Sequence, residues 1–494
     1  MILQKSVKYP IIFMSGYLAV QMFLIANLVL YATTPVARGG LGQDPIWANN
    51  IYGVVWSLQA ILAIFVIKWF AKWGYKEGLV VSMIFQTVGF LILAIPTTSC
   101  FLIGSSCWAA GAALSVSQNY VVLSDTMSAE HKGRNNIFLL LYAIMNAAAF
   151  VAMIISGLSS AIGFNNVFLI SAALSVIIFL FLIFIYNRKV ESIEGTECYA
   201  QNMRTKSEKM SGFIKLFGVG IVVMLILIAC TLAASIVNLI ITICVGCIFI
   251  YLIVLAVIHK GVDRTKIITF TILMLITVVY WAGYNLYAAT GFVELLDTAA
   301  NKHGIPVQDY LSVDALTIIV IGLPLVFYLI HLEKKGIHFN AAMRVLIGMA
   351  LLGVAFCIPV LGFYVAGFGK ISGYWMILTI FLCGIAEIFV GPVGPAVAGH
   401  CSTKKLAGVF MAFTFVIVSG SAPISTYWAN WMIASKSKAI TDVAHQFSYT
   451  VGMFAVLAFV CAIIVLILYK PLVKWGHFTK FKEKEEAPQI DGTN

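Results

Sequence analysis

CGIAEIFVGPVGPAVAGH, residues Cys383–His400, sets a single carboxylate, Glu387, in an apolar run that breaks at two Gly-Pro pairs. A charge at the centre of a membrane helix costs roughly 2.5–3.5 kcal/mol on translocon scales. A chain that retains one uses it to bind, to pair or to move a proton. Gly391, Pro392, Gly394 and Pro395 weaken the same helix and mark it as a hinge or break. Irregular backbone at membrane depth survives only against protein or a water-filled cavity. The plainer alternative is a Glu387 satisfied by a neighbouring helix, with no direct role.

The surroundings of that stretch are apolar throughout. The chain has 494 residues, of which 61% are hydrophobic and only 10% charged. A soluble domain carries roughly 25% charged residues. An all-α polytopic membrane protein is the expected class, with the lipid bilayer as its solvent. The net charge of +11 lies in short loops, so it reads as topology and not as a nucleic-acid surface. The ten Cys residues are scattered. Cys244 and Cys247 form a CxxC inside a hydrophobic run, with no second pair or nearby His, so neither metal nor redox chemistry is expected. The first residues, MILQKSVKYP, carry no signal-cleavage pattern, and the first apolar run is long enough to span.

Apolar runs near 10–33, 51–70, 78–97, 100–124, 137–160, 166–186, 212–232, 235–258, 265–288, 313–331, 343–366, 374–399, 407–432 and 450–470 predict fourteen transmembrane helices. With both termini cytoplasmic, every Lys and Arg except Arg38, Lys302, Lys370, Lys436 and Lys438 falls on the inner side. Miscounting one span would invert every later loop and destroy that asymmetry, so the positive-inside rule supports count and orientation together. The longest polar interruption, 187–211, follows six spans; two more spans and then six others complete the chain. The expected organisation is a six-helix bundle over 1–187, a linker and inserted two-helix hairpin over 188–262, a second six-helix bundle over 263–470 and a tail over 471–494. Paired six-helix halves around a central site are a transporter architecture.

Polar residues inside the spans carry the remaining information. Tyr17 and Gln21 lie four apart on one face of the first span, as do Tyr142 and Asn146 on the fifth. Gln118 lies in the fourth, Trp281, Tyr284 and Asn285 in the span at 265–288, and Asp314 opens the next. Singly, each reads as helix–helix glue, worth about 0.6 kcal/mol on average. Together they can line a wet central cavity with aromatic walls and few charges. Asp314 can also cap its helix, and Trp281 and Tyr284 can also be interfacial belt residues. There is no Walker loop, HExxH, GxSxG or acidic cluster. No enzyme activity and no cofactor are expected, and the energy for transport must come from a gradient.

Trp375–Phe415 (WMILTIFLCGIAEIFVGPVGPAVAGHCSTKKLAGVFMAFTF) resembles the proton-dependent oligopeptide transporter family of the major facilitator superfamily. The family's Glu, Ser-Pro-Val-Gly element and following loop correspond to Glu387, Gly391–Gly394 and then Lys405, Leu406 and Gly408. VVYWAGYNLYAATGFVELL is similar to its seventh core helix, and Tyr142, Asn146 and Phe150 follow its fifth-helix pattern. LVLYAT matches the end of its first helix, and two helices inserted between the halves are a feature of its bacterial members. The resemblance implies the major facilitator fold and proton-coupled uptake of small peptides or related amine solutes by alternating access. The cell would be bacterial, the location its inner membrane, and the protein a multi-pass monomer. It implies that Glu387 and Asp314 couple substrate to protons, with Tyr17, Gln21, Gln118, Tyr142, Asn146, Trp281, Tyr284 and Asn285 around the substrate.

This sequence also departs from the family pattern. The family's first-helix E-x-x-E-R-F motif falls near Met14–Ala19, where there is no charge. Its fourth-helix Lys-Pro falls on Val116 and Ser117, and its seventh-helix Glu on Asn285. The acids that would hold an amine remain, while the bases that would hold a free carboxylate are gone. A carrier or exporter of a non-peptide solute, and a non-transporting relative, are the alternative expectations.

Overall fold

A backbone crossing lipid must satisfy its N–H and C=O groups within its own segment, so runs of this length and apolarity become helices. The computed structural model describes residues 5–115, 134–185, 205–289, 299–300, 303–335, 339–401, 407–433 and 439–476, and no strand occurs among them. The first half comprises α1 (Lys5–Thr33), α2 (Pro45–Trp73), α3 (Tyr75–Leu93), α4 (Thr98–Ala113), α5 (Arg134–Gly157) and α6 (Phe164–Leu180). The inserted hairpin is α7 (Lys206–Leu232) and α8 (Ala234–Ile258). The second half begins with α9 (Gly261–Ala289). Next come α10 (Val307–Thr317) and α11 (Leu323–Lys334), joined through a π-helical turn at Ile318–Gly322. Then follow α12 (Ala341–Val365), α13 (Tyr374–Val390), α14 (Val393–Cys401), α15 (Ala407–Met432), α16 (Ile440–Ile467) and the short α17 (Tyr469–Trp475).

Thirteen spans in the described residues are long and apolar enough to cross a membrane. The fourteenth expected span, 100–124, corresponds to α4; residues 116–133, with Gln118 among them, lie outside the described residues. The expected span at 313–331 begins earlier, at Val307. Pro306 presets the entry and Asp309 complements the helix dipole in the first turn. Gln308, Asp309, Tyr310 and Ser312 read as loop in the sequence but are helix here. Asp314 therefore lies two turns inside α10, and the capping alternative falls away.

Local signals set the other boundaries. Asp44 caps α2, its side chain accepting from the backbone N–H of Ile46 and Trp47 at 2.8 and 3.1 Å, with Pro45 at the first helical position. Gly74, at φ 121°, turns the chain directly from α2 into α3. Within the first half α1 packs on α5 and α6, and α3 on α4 and α6; within the second α12 packs on α13 and α16, and α9 on α15. The inserted helix α7 leans on α2, α3 and α4, whereas α8 touches α2 of one half and α9 and α15 of the other. Large apolar side chains such as Ile177, Ile214, Ile253 and Ile463 face outward, as a lipid solvent allows.

The α3–α4 contact relies on small residues. A Cβ on Gly89 would lie 2.7 Å from the Trp108 backbone N and 2.8 Å from the Gly104 carbonyl O. Backbone that close cannot yield without moving a helix. Overpacking of this kind costs typically 1–3 kcal/mol. Gly89→Val is expected to lower the melting temperature of the detergent-purified protein by several degrees, and an unchanged transition would contradict this packing.

Candidate functional site

Three helices of the second half bring their polar residues to one place. Tyr284 on α9 donates its hydroxyl to Asp314 Oδ2 on α10 at 3.0 Å. Glu387 on α13 lies beside this pair, one turn beyond Gly384, where a Cβ would come 2.9 Å from Asp314 Oδ1. Asp314 is buried, while Tyr284 and Glu387 are only half-buried, so the cluster touches open space. Glu387 Oε2 has no hydrogen-bond partner among the described residues. Trp281 packs edge-on to Tyr284, with ring centroids 5.3 Å apart, and forms an aromatic wall beside the acids. Among the described residues, α10, α13 and α15 carry no Lys or Arg, and those on α1, α2, α5 and α9 lie towards helix ends.

Sequence explains the close approach of the two carboxyls. A Cβ on Gly384, one turn before Glu387, would lie 2.9 Å from Asp314 Oδ1 and 3.0 Å from Thr317 Cβ. Glycine thus lets α10 press against α13. After Glu387 the helix persists for less than a turn: α13 ends at Val390, Gly391 and Pro392 form the interruption, and α14 restarts at Val393. Gly394 then allows α14 to meet α15, since a Cβ there would lie 2.6 Å from Thr414 Cγ2. Pro395, exposed in the first turn of α14, completes the break.

The two halves meet chiefly at one end, where α2 begins and α15 finishes. Asn49 donates to Asn430 Oδ1 at 3.2 Å, Asn430 to Asn50 Oδ1 at 3.3 Å, and Thr426 to the Asn49 carbonyl at 3.3 Å. Deeper in, Tyr52 donates to Asn285 Oδ1 at 3.1 Å, and Asn285 donates to Ser421 Oγ at 3.2 Å. On the other flank Gln308 of α10 donates to Asn27 Oδ1 at 3.0 Å and to Ser159 Oγ at 2.9 Å. Ala26, Met153 and Leu311 form a small apolar plug beside them. At the opposite end α14 packs on α9, α12, α13 and α15, all of its own half. Among the described residues, the cross-half hydrogen bonds thus gather toward the end where α2 begins and α15 finishes.

Other expected residues take different places. Tyr17 and Gln21 are buried in the first half: the Tyr17 hydroxyl donates to the Ala112 carbonyl of α4 at 3.5 Å, and Gln21 Nε2 donates to the Tyr17 hydroxyl. They join α1 to α4. Asn285 belongs to the seal and not to the carboxyl cluster. Asn146 is buried on α5. Tyr142 lies on the same helix, with its side chain outside what is described, as is Gln118 entirely. Sequence reading missed Tyr52, Asn430 and Gln308. Tyr52 had a visible signal, since it stands one turn from Trp56 and stacks on it at 6.4 Å.

The profile of the POT family matches residues 78–443. The chain belongs to the POT family. Dipeptide and tripeptide permease A of Pectobacterium carotovorum subsp. carotovorum is 25% identical over 409 residues, covering 79% of this chain and 78% of that one. Dipeptide and tripeptide permease A of Chromobacterium violaceum is 26% identical over 236 residues, a match that spans 47% of this chain and only 46% of the permease. A crystal structure of a peptide transporter POT in complex with sulfate superposes with TM-score 0.79 at 17% identity over 95% of both chains. A POT family transporter in complex with 5-aminolevulinic acid gives 0.77 at 16%, over 94% of this chain and 96% of that one. These likenesses establish the fold of this POT family member: a major facilitator architecture of two six-helix bundles with an inserted pair.

In this POT family chain the Tyr284–Asp314 hydrogen bond is a separable unit. A donor lost to a buried charged acceptor costs about 1–3 kcal/mol. Tyr284→Phe is expected to destabilise the parent but not the Asp314→Asn variant to the same degree. A double-mutant cycle on melting in detergent measures that coupling, and strictly additive effects would contradict the contact.

Proposed function

We propose that the chain is a secondary active transporter, taking up small peptides or related amine-bearing solutes with protons by alternating access. The observation that supports this is the carboxyl pair Glu387–Asp314 held between α10 and α13, beside hydrogen bonds that join the two halves. Two like charges 4 Å apart repel by about 4 kcal/mol at an effective dielectric of 20. A proton or a substrate ammonium group relieves that repulsion. A proton on one acid and the substrate ammonium on the other, loaded together, is the simplest chemistry for carrying both in one direction. Glu387, with an unpartnered Oε2, is assigned the proton, and Asp314, held by Tyr284, the substrate ammonium. Trp281 would cover the apolar part of the solute.

The seal at the closed end is built from neutral amides and hydroxyls. Side-chain hydrogen bonds between membrane helices average about 0.6 kcal/mol. A handful of them stabilises one state by a few kcal/mol at most, an amount that solute binding can offset. Rocking of the halves would break this seal and close the other end. The hinge at Gly391, Pro392, Gly394 and Pro395 would let α14 move separately from α13. The positive-inside bias favours cytoplasmic termini, so the end joined by Asn49 and Asn430 faces away from the cytoplasm. The curated relatives are bacterial permeases, which supports the inner membrane as the location. Glu387, Asp314, Tyr284 and Trp281 all come from one chain, which supports action as a monomer.

A second reading concerns the solute. Charge is absent near Met14–Ala19 and at Val116 and Ser117, which disfavours recognition of a free carboxylate. A non-peptide amine is the alternative cargo, and a non-transporting relative the last alternative.

Counterflow in proteoliposomes separates these readings. The parent is expected to exchange labelled dipeptides or amines, and N-acetylation of the solute to reduce exchange at least about tenfold. Glu387→Gln should abolish the response to an imposed pH gradient. A Glu387→Gln variant that carries solute at the parent's rate with unchanged pH dependence would overturn the assignment.

A further inference from the structure

The inserted hairpin straddles the two halves. Its first helix leans on the first half. A Cβ on Gly212 of α7 would lie 2.0 Å from the Trp73 carbonyl O at the end of α2. Phe217 meets Phe85 of α3 with ring centroids 5.4 Å apart, and the hydroxyls of Thr231 and of Ser106 on α4 are 3.4 Å apart. Its second helix leans on the second half. A Cβ on Gly420 of α15 would lie 2.4 Å from Val245 Cγ2 of α8, and Tyr251 packs edge-on to Phe413 at 5.8 Å. Only Ala233 separates Leu232, the last residue of α7, from Ala234, the first of α8. Because α7 starts beside the finish of α2, this turn lies at the end where α2 begins. A single residue there links a helix held by one half to a helix held by the other.

Asn238, buried one turn into α8, carries the one contact from this helix back to the first half that is polar on both sides. Its Nδ2 donates to the Asn50 carbonyl of α2 at 3.0 Å. The neighbouring carbonyl, that of Asn49, accepts from Thr426 of α15 at 3.3 Å. Gly53 makes room for both: a Cβ there would lie 2.8 Å from Asn238 Oδ1 and 2.8 Å from Thr426 Oγ1. Three helices, α2, α8 and α15, thus converge on one glycine. Asn238 Oδ1 has no hydrogen-bond partner among the described residues. Burying an amide with its acceptor unmet is costly. An apolar side chain would avoid that cost but could not make the bond to Asn50.

We propose that Asn238 is a positioning residue of the transport step: it fastens α8 to α2, so that the hairpin is a strap across the seam and sets how readily the halves part at that end. The inference rests on the reading of the chain as an alternating-access carrier. As the halves part, α7 stays with the first and α8 with the second. The Asn238–Asn50 and Thr426–Asn49 bonds break, and the one-residue turn at Ala233 limits how far the gap opens. One side-chain hydrogen bond between membrane helices shifts an equilibrium by about threefold. That is enough to bias two states of similar free energy without locking either.

The test is hydrogen–deuterium exchange of the full chain in detergent without solute, comparing the parent with Asn238→Leu. Amides of 45–53 and 426–432, on the two sides of the seam, are expected to exchange about threefold faster in the variant. Those of 393–401, at the opposite end, are expected to exchange more slowly. A general loss of stability would speed exchange at both ends, so only the opposed change reports a shifted balance of states. Unchanged exchange, or faster exchange at both ends, overturns the proposal. If Asn238→Leu does not fold, as judged by its melting in detergent, a chain with Gly-Gly-Ser inserted between Leu232 and Ala233 decides by the same outcomes. Counterflow in proteoliposomes keeps the two readings apart. An opposed change in a chain whose parent exchanges no solute would spare the strap and sink the carrier. Counterflow by the parent with no opposed change in the variant would do the reverse.

Discussion

The contact of two carboxyl groups with one phenol hydroxyl, at the depth of the bilayer, is the constraint from which the rest of the molecule can be understood. Water would solvate Asp314 and Glu387 at no cost. Inside a helical bundle they must be held by partners, and Tyr284 supplies a donor to Asp314. The surrounding backbone is arranged to permit this. Gly384 opens the space for Asp314, the π-helical turn at Ile318–Gly322 follows within one turn of it, and α13 stops one residue after Phe389. Helix irregularities of this kind collect at functional sites because they place side chains that a straight helix would misdirect.

Everything that separates the halves follows a different principle. Where the carboxyl cluster is charged and sparse, the seal is neutral and distributed over Asn27, Asn49, Asn430, Asn285 and Gln308. A charged latch would have been costly to bury and, once paired, costly to open. Amide pairs can be broken singly and re-formed with water. The inserted helix α8 joins this seal as well. Asn238 donates to the Asn50 carbonyl at 3.0 Å, and Gly53 admits its side chain, with Asn238 Oδ1 2.8 Å from where a Cβ would be. The hairpin is thus attached to the same seam that alternating access would have to part.

Much of this was legible in the sequence because lipid makes polarity rare. A lone Glu387 in an apolar run stands out, and so does the Gly-Pro break four residues later. Helix number and the paired six-helix halves followed from apolar length and the polar interruption at 187–211, and the family from the resemblance. The start of α10 was obscured because Gln308, Asp309 and Ser312 look like loop residues, whereas they are the polar contacts of a helix that the opposite half covers. Tyr17 and Gln21 share a face, but spacing alone cannot say whether that face meets α4 or the other half. The Tyr52–Asn285 bond joins residues 233 positions apart, a pairing that no local pattern reveals. Asn430 lies near a span end, where polar residues are cheap and carry little signal.

The central claim is that a proton and the solute load together onto the same pair of buried acids and cross in one direction. It is tested most directly by following lumenal pH with a trapped dye while a dipeptide or amine gradient is imposed across proteoliposomes. The account predicts that inward solute flux acidifies the lumen in the parent and that this acidification disappears in Glu387→Gln. Solute accumulation with no accompanying pH change in the parent would contradict it.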